Sequence, residues 1–337
     1  MAGVKGRTPY PGLHRPGLTP GLRPVMSAAM GSPALELREV TKLYGDFRAV
    51  DHLSLQVPQG ALYGFLGPNG AGKTTTIRMI LDILRPTTGS IAVLGSDSAL
   101  KVRTRLGYLP EEKGLYKKMR AWSVIAYFAT LKGMTRVAAK RRAFELLERY
   151  GLKDFATART EALSKGMGQK VQVLASIAHD PELVILDEPF SGLDPVNQTL
   201  MEEIVLDLRQ RGRTVLFSTH VMQHAERLCD RLVVIAKGRA LFDGTVSEAR
   251  RLVPRRVQLE TADDPASLRT LPGVAALKEQ GGGRWEIELR DGADPQAVLQ
   301  ACFEHPVRLR SFNAAEPALH EVFMKLVGDQ AREAAFR

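Results

Sequence analysis

The run Gly67-Pro-Asn-Gly-Ala-Gly-Lys-Thr74 fits the spacing G-x-x-x-x-G-K-[ST] without a mismatch, and that spacing predicts a site for a nucleoside triphosphate. Glycines let a backbone turn its N–H groups onto an anion. Gly67, Asn69, Gly70 and Gly72 are therefore the expected cradle for the β- and γ-phosphates. Lys73 is expected to neutralise charge on the β/γ-phosphates, and Thr74 to offer its hydroxyl to Mg2+. Thr75 is expected to reach the α/β-phosphates through its N–H or hydroxyl. A second constellation is Leu183-Val-Ile-Leu-Asp-Glu188, an apolar run that ends in two carboxylates. Asp187 is the expected magnesium holder, through water. Glu188 is placed to orient or deprotonate the attacking water.

Such groups need rigid elements behind them. The apolar stretch 61–66 reads as a buried strand leading into the glycine loop, and Ile77, Ile80, Leu81 and Leu84 recur at helical spacing after it. Strand, loop and helix in that order bring the positive end of the helix to the phosphates. Residues 183–186 read as a central parallel strand whose C-terminal end opens on the same site. This is an α/β arrangement.

Further motifs make the pattern specific. Leu163-Ser-Lys-Gly-Met167, followed by Gly168-Gln-Lys170, resembles the signature of the ATP-binding cassette (ABC) family. Ser191-Gly-Leu-Asp194 is similar to that family's D-loop, and His220, ending the apolar strand 214–219, to its switch histidine. Tyr44 in Lys42-Leu-Tyr-Gly45 resembles the aromatic that stacks on adenine. The resemblance covers roughly residues 34–250. It implies a P-loop NTPase with a RecA-like core and an inserted helical subdomain carrying the signature, with ATP and Mg2+ as the bound species.

Ser164 and Gly166 open a predicted helix, so they form a second anion-binding terminus. One chain already has its own phosphate loop, and the second terminus is surplus unless it serves another copy. The resemblance implies that it does: two cassettes stack head to tail, each ATP lying between the loop of one and the signature of the other, with Asp194 nearby. Three positions depart from the family's commonest pattern. Lys165 replaces a glycine and Met167 a glutamine whose role is missing or moved, for instance to Gln169. Glu111, in Leu106-Gly-Tyr-Leu-Pro-Glu-Glu112, stands where a glutamine usually senses magnesium and the membrane partner. A carboxylate also suits a hard cation, so altered affinity or coupling is expected. This run, with Lys113-Gly-Leu-Tyr116, is similar to a subgroup of bacterial exporter ATPases that includes sodium-extrusion and drug-resistance systems.

Composition bounds the rest. A chain of 337 residues has room for two domains, and no apolar run reaches the roughly 18 residues of a membrane span, the longest being 121–131. Transport then requires separate integral membrane permease subunits. Cys229 and Cys302 fit no metal or redox spacing and point to a reducing cytoplasm. Residues 1–33 are rich in Pro and Gly, repeat Pro-Gly-Leu and contain no acid, so a disordered basic tail is expected, without the apolar core of a signal peptide; Met26 or Met30 is an alternative start. Removing the tail's +4 from the net +10 leaves +6, a basic excess suited to the anionic cytoplasmic face of the cell membrane. Nucleic acid is not an expected partner, since no Lys/Arg stripe with interleaved aromatics is present.

Beyond residue 254 strands alternate with helical stretches near 294–304 and 316–327. The expectation is a small ferredoxin-like α+β domain over 255–330, stabilising a dimer or regulating it. Gly281–Gly283 reads as a turn, and His179 and His224 as structural. The sequence thus predicts the ATP-hydrolysing subunit of an exporter, acting as a homodimer or with a related cassette. The competing reading is a soluble cassette ATPase of ribosomes or DNA; it is disfavoured by the single phosphate loop and by the short gap between Lys73 and Asp187. Substrate identity is not encoded in these motifs.

Overall fold

The computed structural model describes residues 32–328 except 113, 115 and 306; the expected tail lies, apart from Ser32 and Pro33, outside the described residues. In chain order the first elements are β1 (Leu35–Tyr44), β2 (Phe47–Val57), β3 (Leu62–Leu66), α1 (Lys73–Ile80), β4 (Thr88–Val93), β5 (Leu106–Leu109), α2 (Ala121–Leu131), α3 (Arg136–Arg149) and α4 (Lys165–Ile177). They are followed by β6 (Leu183–Leu186), α5 (Pro195–Gln210), β7 (Thr214–Thr219), α6 (Met222–Leu228), β8 (Arg231–Ala236), β9 (Arg239–Thr245) and α7 (Val246–Arg250). The last are β10 (Arg256–Thr261), β11 (Val274–Gly281), β12 (Arg284–Leu289), α8 (Pro295–Glu304), β13 (Leu309–Asn313) and α9 (Leu319–Val327).

A six-stranded sheet in the order β5-β6-β7-β3-β8-β9 is parallel except at its β9 edge. Strands β3, β6 and β7 are buried along their whole length, which is why their sequences are runs of apolar residues rather than alternations. The central position of these strands sends the turns after β3, β6 and β7 to one edge of the sheet, where the candidate residues meet. A three-stranded antiparallel sheet, β2-β1-β4, packs on the same core through Leu35, Leu37, Val50 and Leu53. On the other side α2, α3 and α4 share a core with β6 and β7 through Val124, Ile125, Leu146, Leu174 and Phe217. These are the helices of the expected inserted subdomain.

The first helix is shorter than its periodicity implies. It stops at Ile80, Asp82 takes a left-handed φ of 59°, and Pro86 disfavours helix for the residue before it. Leu81 and Leu84 still pack on the core from the turn. Among the described residues no helix is long and apolar enough to cross a membrane.

After α7 a separate antiparallel sheet forms in the order β11-β12-β10-β13. Counted within the module this is 4-1-3-2, the ferredoxin-like order, with a 3₁₀ turn at Ala266–Thr270 where the first crossover helix would stand. Gly281, Gly282 and Gly283 all have positive φ and make the β11–β12 turn. Its core, which includes Val257, Leu259, Ile287, Val298 and Cys302, is distinct from the cassette's. Helix α9 does not join that core. Leu319, Val322, Phe323 and Val327 instead pack with Met222, Ala225, Val234 and Ala249 of the preceding region.

Candidate active site

Backbone crowding explains the glycines of the loop between β3 and α1. A Cβ on Gly67 would stand 2.4 Å from the Ile235 carbonyl oxygen, and one on Gly72 2.5 Å from that of Ala49. Gly72 also takes φ 100° as the residue capping α1. Asn69 and Gly70 are exposed at the loop tip, and Thr75 is half-buried behind it. Lys73 is buried and folds back over the loop, its Nζ donating to the carbonyls of Gly67 at 2.7 Å and Pro68 at 3.2 Å. Burial pushes its amine pKa down, and the carboxylates of Glu188, Asp187 and Glu111 oppose that shift.

Strand β6 delivers two acids to the same place. Asp187 and Glu188 are both buried, and Glu188 has a left-handed φ of 49°, uncommon for a residue with a side chain. Ser218, at the end of β7, links them: it accepts the Glu188 N–H at 2.9 Å and donates to Asp187 Oδ1 at 2.5 Å. Glu188 Oε2 lies 3.0 Å from His220 Nδ1 and Glu188 Oε1 3.7 Å from Lys73 Nζ. Burial raises the Asp187 carboxyl pKa, while the Ser218 hydrogen bond and the nearby Thr74 hydroxyl hold the shift back. Asp187 Oδ2 is buried with no hydrogen-bond partner. An orphaned carboxylate oxygen beside the Thr74 hydroxyl is an all-oxygen donor set of the kind a hard divalent cation takes, so the residues fit Mg2+. Glu111 is exposed on the turn after β5, and its charge is felt at Lys73 and Asp187.

The signature residues form a second cluster. Ser164 caps α4 by accepting the Met167 N–H at 3.3 Å and is itself exposed. Gly166 faces Asn197 so closely that a Cβ would stand 2.4 Å from its Nδ2. Asn197 in turn donates its N–H and its side-chain amide to Asp194, at 2.9 and 2.6 Å, where Asp194 caps α5. Among the described residues no hydrogen bond or ion pair joins Ser164 or Gly166 to the loop at Gly67–Lys73. Gln169 points elsewhere, donating to the Pro189 carbonyl next to Glu188. Tyr44 is about half exposed at the β1–β2 turn, with Lys42 Nζ 5.4 Å from its ring centroid.

Two residues of these clusters escaped the sequence reading. Ser218 had a signal, a hydroxyl directly after the apolar run 215–217 of β7. Asn197 had none for its contact with Gly166, because that is set by the packing of α4 against α5.

The chain is similar to known proteins over most of its length. The ABC transporter family pattern matches residues 50–191. The pattern for the C-terminal domain of DrrA1-3-like ATP-binding proteins matches residues 244–327. The uncharacterized ABC transporter ATP-binding protein YhaQ of Bacillus subtilis is 40% identical over 295 residues, covering 87% of this chain and 98% of that one. Nod factor export ATP-binding protein I of Burkholderia orbicola is 37% identical over 312 residues, 90% of this chain and all of that one. Among solved structures, an ATP-binding subunit of an ABC transporter superposes with a TM-score of 0.60 at 31% identity, over 65% of this chain and 92% of that one.

Proposed function

The chain belongs to the ATP-binding proteins of ABC transporters, and from that membership we propose that it is the ATP-hydrolysing subunit that powers export through separate membrane subunits. The observation that carries the reading is the convergence of Lys73, Asp187, Glu188 and His220 at one edge of the parallel sheet.

ATP enters the loop with its phosphates on the backbone N–H groups of residues 67–75, and Lys73 Nζ exchanges the Gly67 and Pro68 carbonyls for phosphate oxygens. Thr74 and Asp187, with Glu111 as a further oxygen donor, would hold Mg2+, which when bound would supply charge neutralisation to the phosphates. Glu188 Oε1, buried and without a hydrogen bond, is the acceptor for the attacking water's proton or the group that orients it. His220 holds the other oxygen of that carboxylate, on the side where the γ-phosphate would lie. Tyr44 offers a ring face to adenine. The bonds and contacts of Ser164, Gly166 and Asp194, which lie among themselves, Met167 and Asn197 and not with the loop, support a head-to-tail pair in which they close over the partner's ATP, with a second copy or a related cassette. A position on the cytoplasmic face of the membrane follows from the need for membrane subunits.

The test is phosphate release with Mg-ATP, size-exclusion chromatography with ATP, and capture from gently solubilised membranes using Glu188→Gln as bait. The variant should bind ATP, dimerise, lose turnover by at least about a hundredfold and retain a polytopic membrane protein. Normal turnover would remove Glu188 from its role, and recovery of ribosomal or DNA-bound proteins would overturn the transporter assignment.

A further inference from the structure

His224 lies four residues beyond His220, on α6, and its described partners, Glu202 and Phe190, are not among the groups that would meet ATP. It is nevertheless the most constrained histidine among the described residues. Its ring stacks on Phe190 at 4.1 Å between centroids and 14° between planes. Its Nδ1 is 3.0 Å from Oε1 of Glu202, a buried carboxylate on α5 whose other oxygen is 2.8 Å from Arg227 Nη2. A carboxylate cannot serve as donor, so Nδ1 carries the proton and the ring is locked in orientation.

Phe190 stands two residues after Glu188, and its edge meets Phe217, which adjoins Ser218. Ser218 is the hydroxyl that bonds both Asp187 and the Glu188 backbone. The stacked pair therefore joins the two chain segments that carry Glu188 and His220. The β6–β7 pairing and Ser218 tie the two strands as far as Ser218; beyond it, apart from the stack, the described bond that reaches His220 from the Glu188 segment is the contact of His220 Nδ1 with Glu188 Oε2. Glu188 also sits in a left-handed backbone conformation that its surroundings must hold.

We propose that His224 is a positioning residue for hydrolysis: pinned by Glu202 and stacked on Phe190, it fixes the distance between Glu188 and His220. A small misplacement of a base costs rate rather than substrate binding, because Lys73 and the glycine loop hold the phosphates independently. The proposal rests on the ATPase reading, which Glu188→Gln tests separately.

The experiment measures kcat and KM for ATP, with the melting temperature, on the full chain carrying His224→Asn, Phe190→Leu and both. Asparagine keeps an N–H for Glu202 and removes the stacked ring, so the buried carboxylate stays paired and the fold is spared. Phe190→Leu attacks the same stack from the other side. Each single variant should lower kcat by about tenfold with KM within about twofold of wild type, and the double variant should be no slower than the slower single one. Unchanged kcat in both single variants, additive losses, or a rise in KM at constant kcat would each overturn the proposal.

Discussion

Lys73 Nζ stands 3.7 Å from Glu188 Oε1 while donating to two carbonyls of its own loop. The cation that would neutralise the phosphates is thus already paired with the carboxylate that would act on the water. Both side chains are buried, and neither charge is fully compensated by the other at that separation.

Lys73→Ala should keep the fold, since the loop's shape is set by Gly67 and Gly72 against Ile235 and Ala49. ATP affinity, measured with a fluorescent nucleotide, should fall by at least about tenfold, the loss of one charge-assisted contact of about 1.5–3 kcal/mol. Undiminished affinity would place the phosphates away from Lys73.

Gly166→Ala should be costly although alanine is a better helix former. Its methyl would meet Asn197, which two bonds to Asp194 keep from moving aside. Destabilisation of about 1–3 kcal/mol is expected from overpacking. Adding Asn197→Ala should restore the melting temperature of Gly166→Ala. A Gly166→Ala protein that melts like wild type would show that this contact does not constrain α4.

His179 donates its Nε2–H to the Leu106 carbonyl at 3.0 Å, and its Nδ1 is buried without a partner. Burial lowers its pKa from 6.5 to about 4. Between those pH values the unfolded chain binds the proton and the folded chain does not, so stability is complete above about pH 6.5 and falls as pH drops towards 4. Glutamine keeps the donor and cannot ionise. His179→Gln should therefore show a shallower loss of melting temperature from pH 6.5 down to 4 than wild type; parallel curves would exclude His179 as the source.

Helix α9 should behave as part of the cassette. Leu319 is buried in the core shared with α6 and β8, and its N–H donates to Glu226 of α6 at 3.3 Å. Arg250 reaches the same Glu226 oxygen at 2.7 Å. Leu319→Ala should cost about 2–5 kcal/mol, seen as a lower melting temperature of the nucleotide-stabilised transition. A shift confined to a separate transition that ATP does not affect would place α9 with the C-terminal sheet instead.

Family resemblance marked the run 163–167 and His220, while the sequence by itself determined the loop and the acids after β6. Their chemistry constrains residue type at close chain spacing, and the apolar runs before them have no other use than as buried strands. It also determined the alternating strands of the C-terminal sheet, since one-sided burial writes period two into residues 257–259 and 285–289. What only the tertiary structure decided are contacts between residues far apart in the chain. The pairing of Ser218 with Asp187 and Glu188, of Asn197 with Gly166, and of His224 with Phe190 and Glu202 depends on which helix lies over which strand end. The helical spacing of 319–327 likewise states that one face of α9 must be buried. Only the fold decides that the face is covered by α6 and β8, because a non-directional apolar stripe satisfies any core it reaches.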